Sequence, residues 1–184
     1  MLKMENVLIF EAHHDDCVIG MGGTSQYLHE KGFKNILFTV TKGETGFASI
    51  ELKDQISNIR KDEGIASDRW ININEHIHWE YGCQNVQNTR EIFQDVVEII
   101  RKYQPKYIFT HGPQDKHRDH RAISSIVEEA WWKATEGALA DRGAPFQADK
   151  LFFFEVSDLF SKTHLVIDIT NYYENKIKAI HDFK

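Results

Sequence analysis

Four apolar residues, Val7-Leu8-Ile9-Phe10, run directly into Glu11-Ala12-His13-His14-Asp15-Asp16, and from Gly20 to Glu30 the pattern turns helical. A short buried strand, an ionisable loop and a helix in succession restrict the chain to folds in which strands hand over to helices. In open α/β sheets that handover is the carboxyl edge, where ligands bind. Folding gains nothing from four adjacent ionisable side chains beside a core strand, whereas a metal would use them. His13 and Asp16 offer the nitrogen and oxygen ligands that zinc accepts, and Asp15 between them stays free for proton transfer. Two plainer readings compete. An acidic pair after a strand serves as a helix N-cap. Gly20-x-Gly22-Gly23 suggests a phosphate-binding turn, although the G-x-G-x-x-G spacing is broken and the glycines come late.

The alternation continues along the chain. Residues 35–40 form a second apolar run, followed by the polar loop 41–46. Residues 52–68 have helical spacing through Ile56, Ile59, Glu63 and Ala66, and Ile71, Ile73 and Ile77 predict one or two short strands. A helix over 89–103 carries a broad apolar face and stops at Pro105; 107–110 is the next strand. A helix follows to Lys133, then a loop over 137–149 with Gly143 and Pro145. The runs 151–154 and 164–167 read as late strands. Behind an Asp168/Thr170 capping pattern, 170–184 reads as a helix still running at the last residue. Strands alternating with helices predict an α/β fold: one domain over 1–184 with a mainly parallel sheet covered on both faces.

Composition bounds the partners. The 184 residues carry a net charge of −6 and no block of Lys or Arg, which argues against nucleic acid. No apolar run approaches the roughly 20 residues of a membrane span, and residues 1–6 lack a signal-peptide pattern. Cys17 and Cys83 are too few for a disulfide framework, so a cytoplasmic location is expected.

A second polar cluster, His111-Gly-Pro-Gln-Asp115-Lys-His117-Arg-Asp119-His120, follows the strand at 107–110. A parallel sheet brings both clusters to one rim. His117-x-x-His120 supplies one more imidazole ligand and a second imidazole just outside the metal, and two His with one carboxylate leave positions open for water and substrate. Asp15 then acts as general base, a role worth about 10²–10⁴-fold. His117, held by Asp119, stabilises the oxyanion and protonates the leaving amine, and one such donor is worth on the order of 2.7–4 kcal/mol.

Ala12-His13-His14-Asp15-Asp16 with Gly20-x-Gly22-Gly23-Thr24 resembles the AHPDD signature of the PIG-L/LmbE-like de-N-acetylases, and His117-Arg118-Asp119-His120 their HxDH motif. Thr41-Lys42-Gly43-Glu44, Arg60-x-x-Glu63 and Asp168-Ile169-Thr170 leading to Lys176 extend the match. The resemblance implies a Rossmann-like three-layer sandwich and zinc-dependent hydrolysis of N-acetyl groups on amino sugars and their conjugates. By position it makes His13, Asp16 and His120 metal ligands, Asp15 the base, His117 the oxyanion stabiliser and acid, and Asp119 the residue orienting His117. Glu44 and Arg60 are then expected to line the substrate pocket. Zn2+ is the implied ion, with Fe2+ the alternative because the same ligands accept both. A homo-oligomer follows only by analogy with relatives.

There are departures. His14 stands where relatives have Pro, and is expected to face solvent or touch substrate. Cys17 stands where they have Glu, and Tyr81-Gly82-Cys83 where several carry an acidic sugar contact. Longer relatives also continue beyond the position of the last helix. A metal-dependent phosphoester hydrolase and a non-catalytic sugar-binding relative are the competing functions. His29, His76, His78, His164 and His181 lack ligand spacing and are expected to pack or lie on the surface, Cys17 is expected to pack, and Trp131 and Trp132 cannot both face the core.

Overall fold

The structure is a computed structural model and describes residues 4–184; the part of the N-terminal expectation that rests on residues 1–3 lies outside the described residues. Five strands form one parallel sheet: β1 (Glu5–Glu11), β2 (Phe33–Thr41), β3 (Glu75–Tyr81), β4 (Tyr107–His111) and β5 (Lys150–Phe154). Their spatial order is β3-β2-β1-β4-β5. The helices are α1 (Asp16–Glu30), α2 (Ile56–Ile71), α3 (Arg90–Tyr103), α4 (Arg118–Lys133) and α5 (Tyr173–His181). The chain winds outward from β1 through β2 to β3, then returns to place β4 on the other flank of β1. Strand order therefore reverses between β1 and β4, where a doubly wound sheet opens a crevice at its carboxyl edge.

Both sheet faces are buried, as a parallel sheet requires. The pleat sends alternate residues to opposite sides. Leu8, Phe10, Ile36 and Phe38 face Ile92, Val96, Val97 and Ile100 of α3 and Ile123, Ile126 and Val127 of α4. Val7, Ile9 and Leu37 face Val18, Met21 and Leu28 of α1, Ile71 of α2 and Ala179 of α5. Each such aliphatic side chain contributes roughly 1.5–3 kcal/mol. The start of α3 is fixed by Thr89, whose hydroxyl accepts the Ile92 N–H; such a cap is worth about 1 kcal/mol.

The glycines of α1 serve packing, not a phosphate turn. A Cβ on Gly23 would lie 2.5 Å from Ile169, and one on Gly20 would lie 2.6 Å from the Glu155 carbonyl oxygen. Trp131 donates its indole N–H to Ala148 O, while Trp132 is exposed.

Several boundaries correct the expectation. The helix α1 begins at Asp16, four residues before Gly20, and α2 begins at Ile56 after a 3-10 turn over Ile50–Leu52. Ile71 ends α2 and Ile73 follows a left-handed Asn72, so the only strand there starts at Glu75. Residues 164–167 form no strand. Leu165 and Val166 are exposed, and β5 closes that edge of the sheet with no further ladder. The last helix starts at Tyr173 and stops at His181, after a turn in which Asp168 accepts both the backbone N–H and the hydroxyl of Thr170. Among the described residues, no helix is long and apolar enough to cross a membrane.

Candidate active site

The loops after β1 and β4 meet at the reversal point. They are stitched together by the Ala12 N–H, which donates to His111 Nε2 at 2.9 Å. Asp16 opens α1 and folds back to accept the His13 N–H at 2.8 Å; His120 projects from the first turn of α4. Three atoms then converge. His13 Nδ1 and His120 Nε2 each lie 3.3 Å from Asp16 Oδ2, and 3.2 Å from one another.

That triangle fits a metal ion. Ligands at 2.0–2.1 Å in tetrahedral geometry stand roughly 3.3–3.4 Å apart. The electrostatics agree. Burial alone would raise the Asp16 pKa, but His111, His120 and His13 hold its carboxyl well below the usual range. Burial opposes a charge on His13, yet Asp119 and Asp16 push its pKa up to about 12. His120 is likewise opposed by burial and raised by Asp16 and Asp115. Without an ion, the carboxylates favour protonation of the two imidazoles; a divalent cation bound there would replace those protons.

The imidazoles are braced from behind. His13 Nε2 is hydrogen-bonded to Asp119 Oδ2 at 3.3 Å, and His120 Nδ1 has Asp115 Oδ1 at 3.2 Å as a charge contact without hydrogen-bond geometry. A carboxylate on the far nitrogen fixes the ring and strengthens a metal-ligating histidine. Asp115 escaped the sequence reading, and so did His111, the last residue of β4. His111 is fully buried, stacked on His120 at 3.9 Å and 3.3 Å from Asp16 Oδ2. Its Nε2 accepts the Ala12 N–H, its Nδ1 is buried without a partner, and with Asp16 and His120 it makes a group able to hold a metal ion.

Asp15 occupies the N-cap position of α1 without making a side-chain cap bond. Burial first, then Asp16, raises its pKa, as suits a proton acceptor. His117 is the N-cap of α4, and its Nδ1 accepts the Asp119 N–H at 3.3 Å. That contact leaves the ring proton on Nε2 as a donor. Burial, with His13 and His120 nearby, lowers the His117 pKa and keeps the ring neutral. Its ring centre is 4.6 Å from those of both His13 and His120.

Two expectations are corrected. The Asp119 carboxylate does not hold His117; it lies on His13 and accepts the Gln84 N–H at 2.6 Å, so only the Asp119 backbone orients His117. His14 does not face solvent: it is 4% exposed, with its ring against Gly43 and Gly64. Arg60 donates to Gly46 O, Lys184 O and Glu63 Oε2, which ties it to the 41–46 loop, and its charge is near enough to act on Asp15. In that loop Glu44 accepts the Cys83 N–H at 2.7 Å through Oε1, and its buried Oε2 has no partner. Cys17 packs: its side chain is fully buried, its N–H goes to Glu11, and burial pushes its thiol pKa well up. The structure also gathers His76 and His78 beside His14, which sequence spacing did not reveal.

Residues 8–131 match the PIG-L family, described as GlcNAc-PI de-N-acetylase. The chain is 29% identical over 131 residues to a diacetylchitobiose deacetylase of Thermococcus kodakarensis, covering 69% of this chain and 49% of the relative. It is 28% identical over 179 residues to a 1D-myo-inositol 2-acetamido-2-deoxy-alpha-D-glucopyranoside deacetylase of Segniliparus rotundus, covering 80% and 56%. The chain thus spans about half the length of the curated relatives it matches. The solved N,N'-diacetylchitobiose deacetylase of Pyrococcus horikoshii superposes with a TM-score of 0.88 at 28% identity, covering 97% of this chain and 69% of that one.

Proposed function

The chain belongs to the PIG-L family, and from that premise we propose that it is a metal-dependent amidohydrolase removing an N-acetyl group from an amino sugar or N-acetylglucosamine conjugate. One observation carries the reading: the 3.2–3.3 Å triangle of His13 Nδ1, Asp16 Oδ2 and His120 Nε2, with the uncommitted Asp15 carboxyl next in sequence. The similarity to deacetylases of acetylated sugars supports the substrate class. Zinc is the proposed ion, with iron(II) the alternative for the same ligands. When bound it supplies Lewis acidity and a water of pKa near 7 in place of 15.7.

This chain's own residues do the rest. Asp15 takes the attacking water's proton. His117 donates a hydrogen bond through Nε2 to the oxygen on which charge develops, and the departing amine takes the proton that Asp15 removed from the water. Glu44, with a free Oε2, lines the sugar side of the crevice, and Arg60 keeps its loop in position. A phosphoester hydrolase of the two-metal type wants ions about 3.5–4 Å apart, and the triangle offers a single carboxylate.

The test is acetate release from N-acetylglucosamine and N,N'-diacetylchitobiose, measured before chelation, after it, and after zinc is restored. Loss and recovery are expected. Equal rates after complete metal removal would overturn the reading.

A further inference from the structure

A second cluster of imidazoles stands beside the first and takes no part in the chemistry above. On β3, alternation sends Ile77 and Trp79 into the core shared with α3 and α4, so His76 and His78 project to the opposite face, the side of α2. Strand pairing sets His76 across from Leu37 and His78 across from Thr39 on β2. His14 reaches the same place from the β1–α1 loop because Gly64 of α2 has no side chain; a Cβ there would lie 3.3 Å from His14 Nδ1. One ring nitrogen from each of His14, His76 and His78 falls within 4.8 Å of the other two.

We propose that His14, His76 and His78 form a second site, for a divalent transition-metal ion, distinct from the site of His13, Asp16 and His120. Buried ring nitrogens are normally partnered. Here His14 Nδ1 and His78 Nδ1 are both buried with no hydrogen-bond partner, and His14 is only 4% exposed. His76 is already set as a ligand. Its Nδ1 lies 2.9 Å from Asp68 Oδ2, the carboxylate–histidine pairing that orients metal-binding imidazoles. That leaves Nε2, now 2.7 Å from Thr39 Oγ1, as the atom for the ion. The other carboxylate oxygen of Asp68 is also buried and unpartnered.

Packing alone would not require three imidazoles. Apolar rings fill such a space without burying orphan nitrogens. Bringing the three nitrogens, all within 4.8 Å of one another, around one ion takes rotation of His14 and His78, whose Nδ1 atoms have no bond to break. A set of imidazoles selects zinc, nickel, cobalt or copper over magnesium or calcium. Occupancy ties the β1–α1 loop, which also carries His13, Asp15 and Asp16, to β3 and α2. The proposal stands whether or not the chain hydrolyses an amide.

The test titrates metal-stripped protein with Zn2+ against a chromophoric chelator and with Co2+ by visible absorption. Wild type is expected to bind two equivalents per chain, and His78→Gln one. An Asp16→Asn/His120→Gln variant should also bind one, and adding His78→Gln to it should leave none. His76→Asn is the second variant, and thermal melts of the stripped proteins report folding. A count that His78→Gln and His76→Asn leave unchanged, in folded protein, overturns the proposal. A single equivalent that survives Asp16→Asn/His120→Gln but not His78→Gln would keep this site and sink the catalytic one.

Discussion

His13 Nδ1 and His120 Nε2 lie 3.2 Å apart across 107 positions of sequence. The contact exists because β1 and β4 are adjacent and parallel, with Val7 opposite Tyr107 and Ile9 opposite Phe109. Their carboxyl ends therefore deliver two loops to one point. Two imidazole nitrogens at that distance, sharing a buried carboxylate oxygen, are a costly arrangement for a protein that binds nothing there. An ion resolves it.

The bracing carboxylates give the first prediction. Asp115→Asn keeps the shape behind His120 but removes the charge 3.2 Å from its Nδ1. Loss of such a partner costs about 10–100-fold in metal affinity or activity. Chelator competition should register a drop of that size, while Asp16→Asn, which strikes the triangle itself, should cost more. An unchanged competition curve for Asp115→Asn would mean that the carboxylate only pins the loop.

Asp15 and Asp16 are neighbours with opposite electrostatics: the pKa of one is raised, that of the other held well below normal. The difference suits Asp15 to proton transfer and Asp16 to holding an ion. Asp15→Asn should therefore lower kcat by about 10²–10⁴-fold with metal content intact. Metal analysis and turnover on the same sample check both halves. Joint loss of metal and activity would make Asp15 a ligand.

His117 and Asp119 should separate experimentally, contrary to their expected partnership. His117→Ala removes the donor over the triangle and should reduce kcat by roughly 10²–10³-fold, leaving metal affinity in place. Asp119→Asn acts through His13 and should weaken metal binding by about 10–100-fold. Were Asp119→Asn to mimic His117→Ala, with full metal affinity, the carboxylate would belong to His117 after all.

That pair marks where the sequence stops being readable. His117, Asp119 and His120 are visible as a motif, and the strand–loop–helix grammar around them gave the sheet, its parallel sense and the rim where ligands gather. Contacts inside the motif were not visible. Residues two apart at a helix start point in different directions, so the Asp119 side chain turns to His13 and Gln84 while its backbone serves His117. The gathering of His14, His76 and His78 was hidden for another reason. It depends on β3 being the edge strand beside β2 and on the missing side chain of Gly64, neither of which leaves a spacing signal. The run 164–167 failed in the opposite sense: its apolar residues imitate a strand, but no sheet edge receives them.

The same imidazoles predict how the stripped protein responds to acid. Burial, then neighbouring His78 and His76, holds His14 at a pKa of about 3, and burial with His76 holds His78 at about 4. In an unfolded chain both titrate near 6.5. Between about pH 6.5 and 4 the unfolded state therefore binds more protons than the native one, and native stability must fall as the pH falls. Above 6.5 both states hold these rings neutral and they contribute no slope. Denaturant midpoints of metal-free protein should drop across that window, and His78→Gln should drop less steeply than wild type because one of the two rings is gone. The comparison between the two proteins cancels the carboxylates that also titrate toward the acid end. Parallel pH curves for wild type and His78→Gln would mean that His78 takes up its proton in the folded state as readily as in water, and that the cluster is open to solvent.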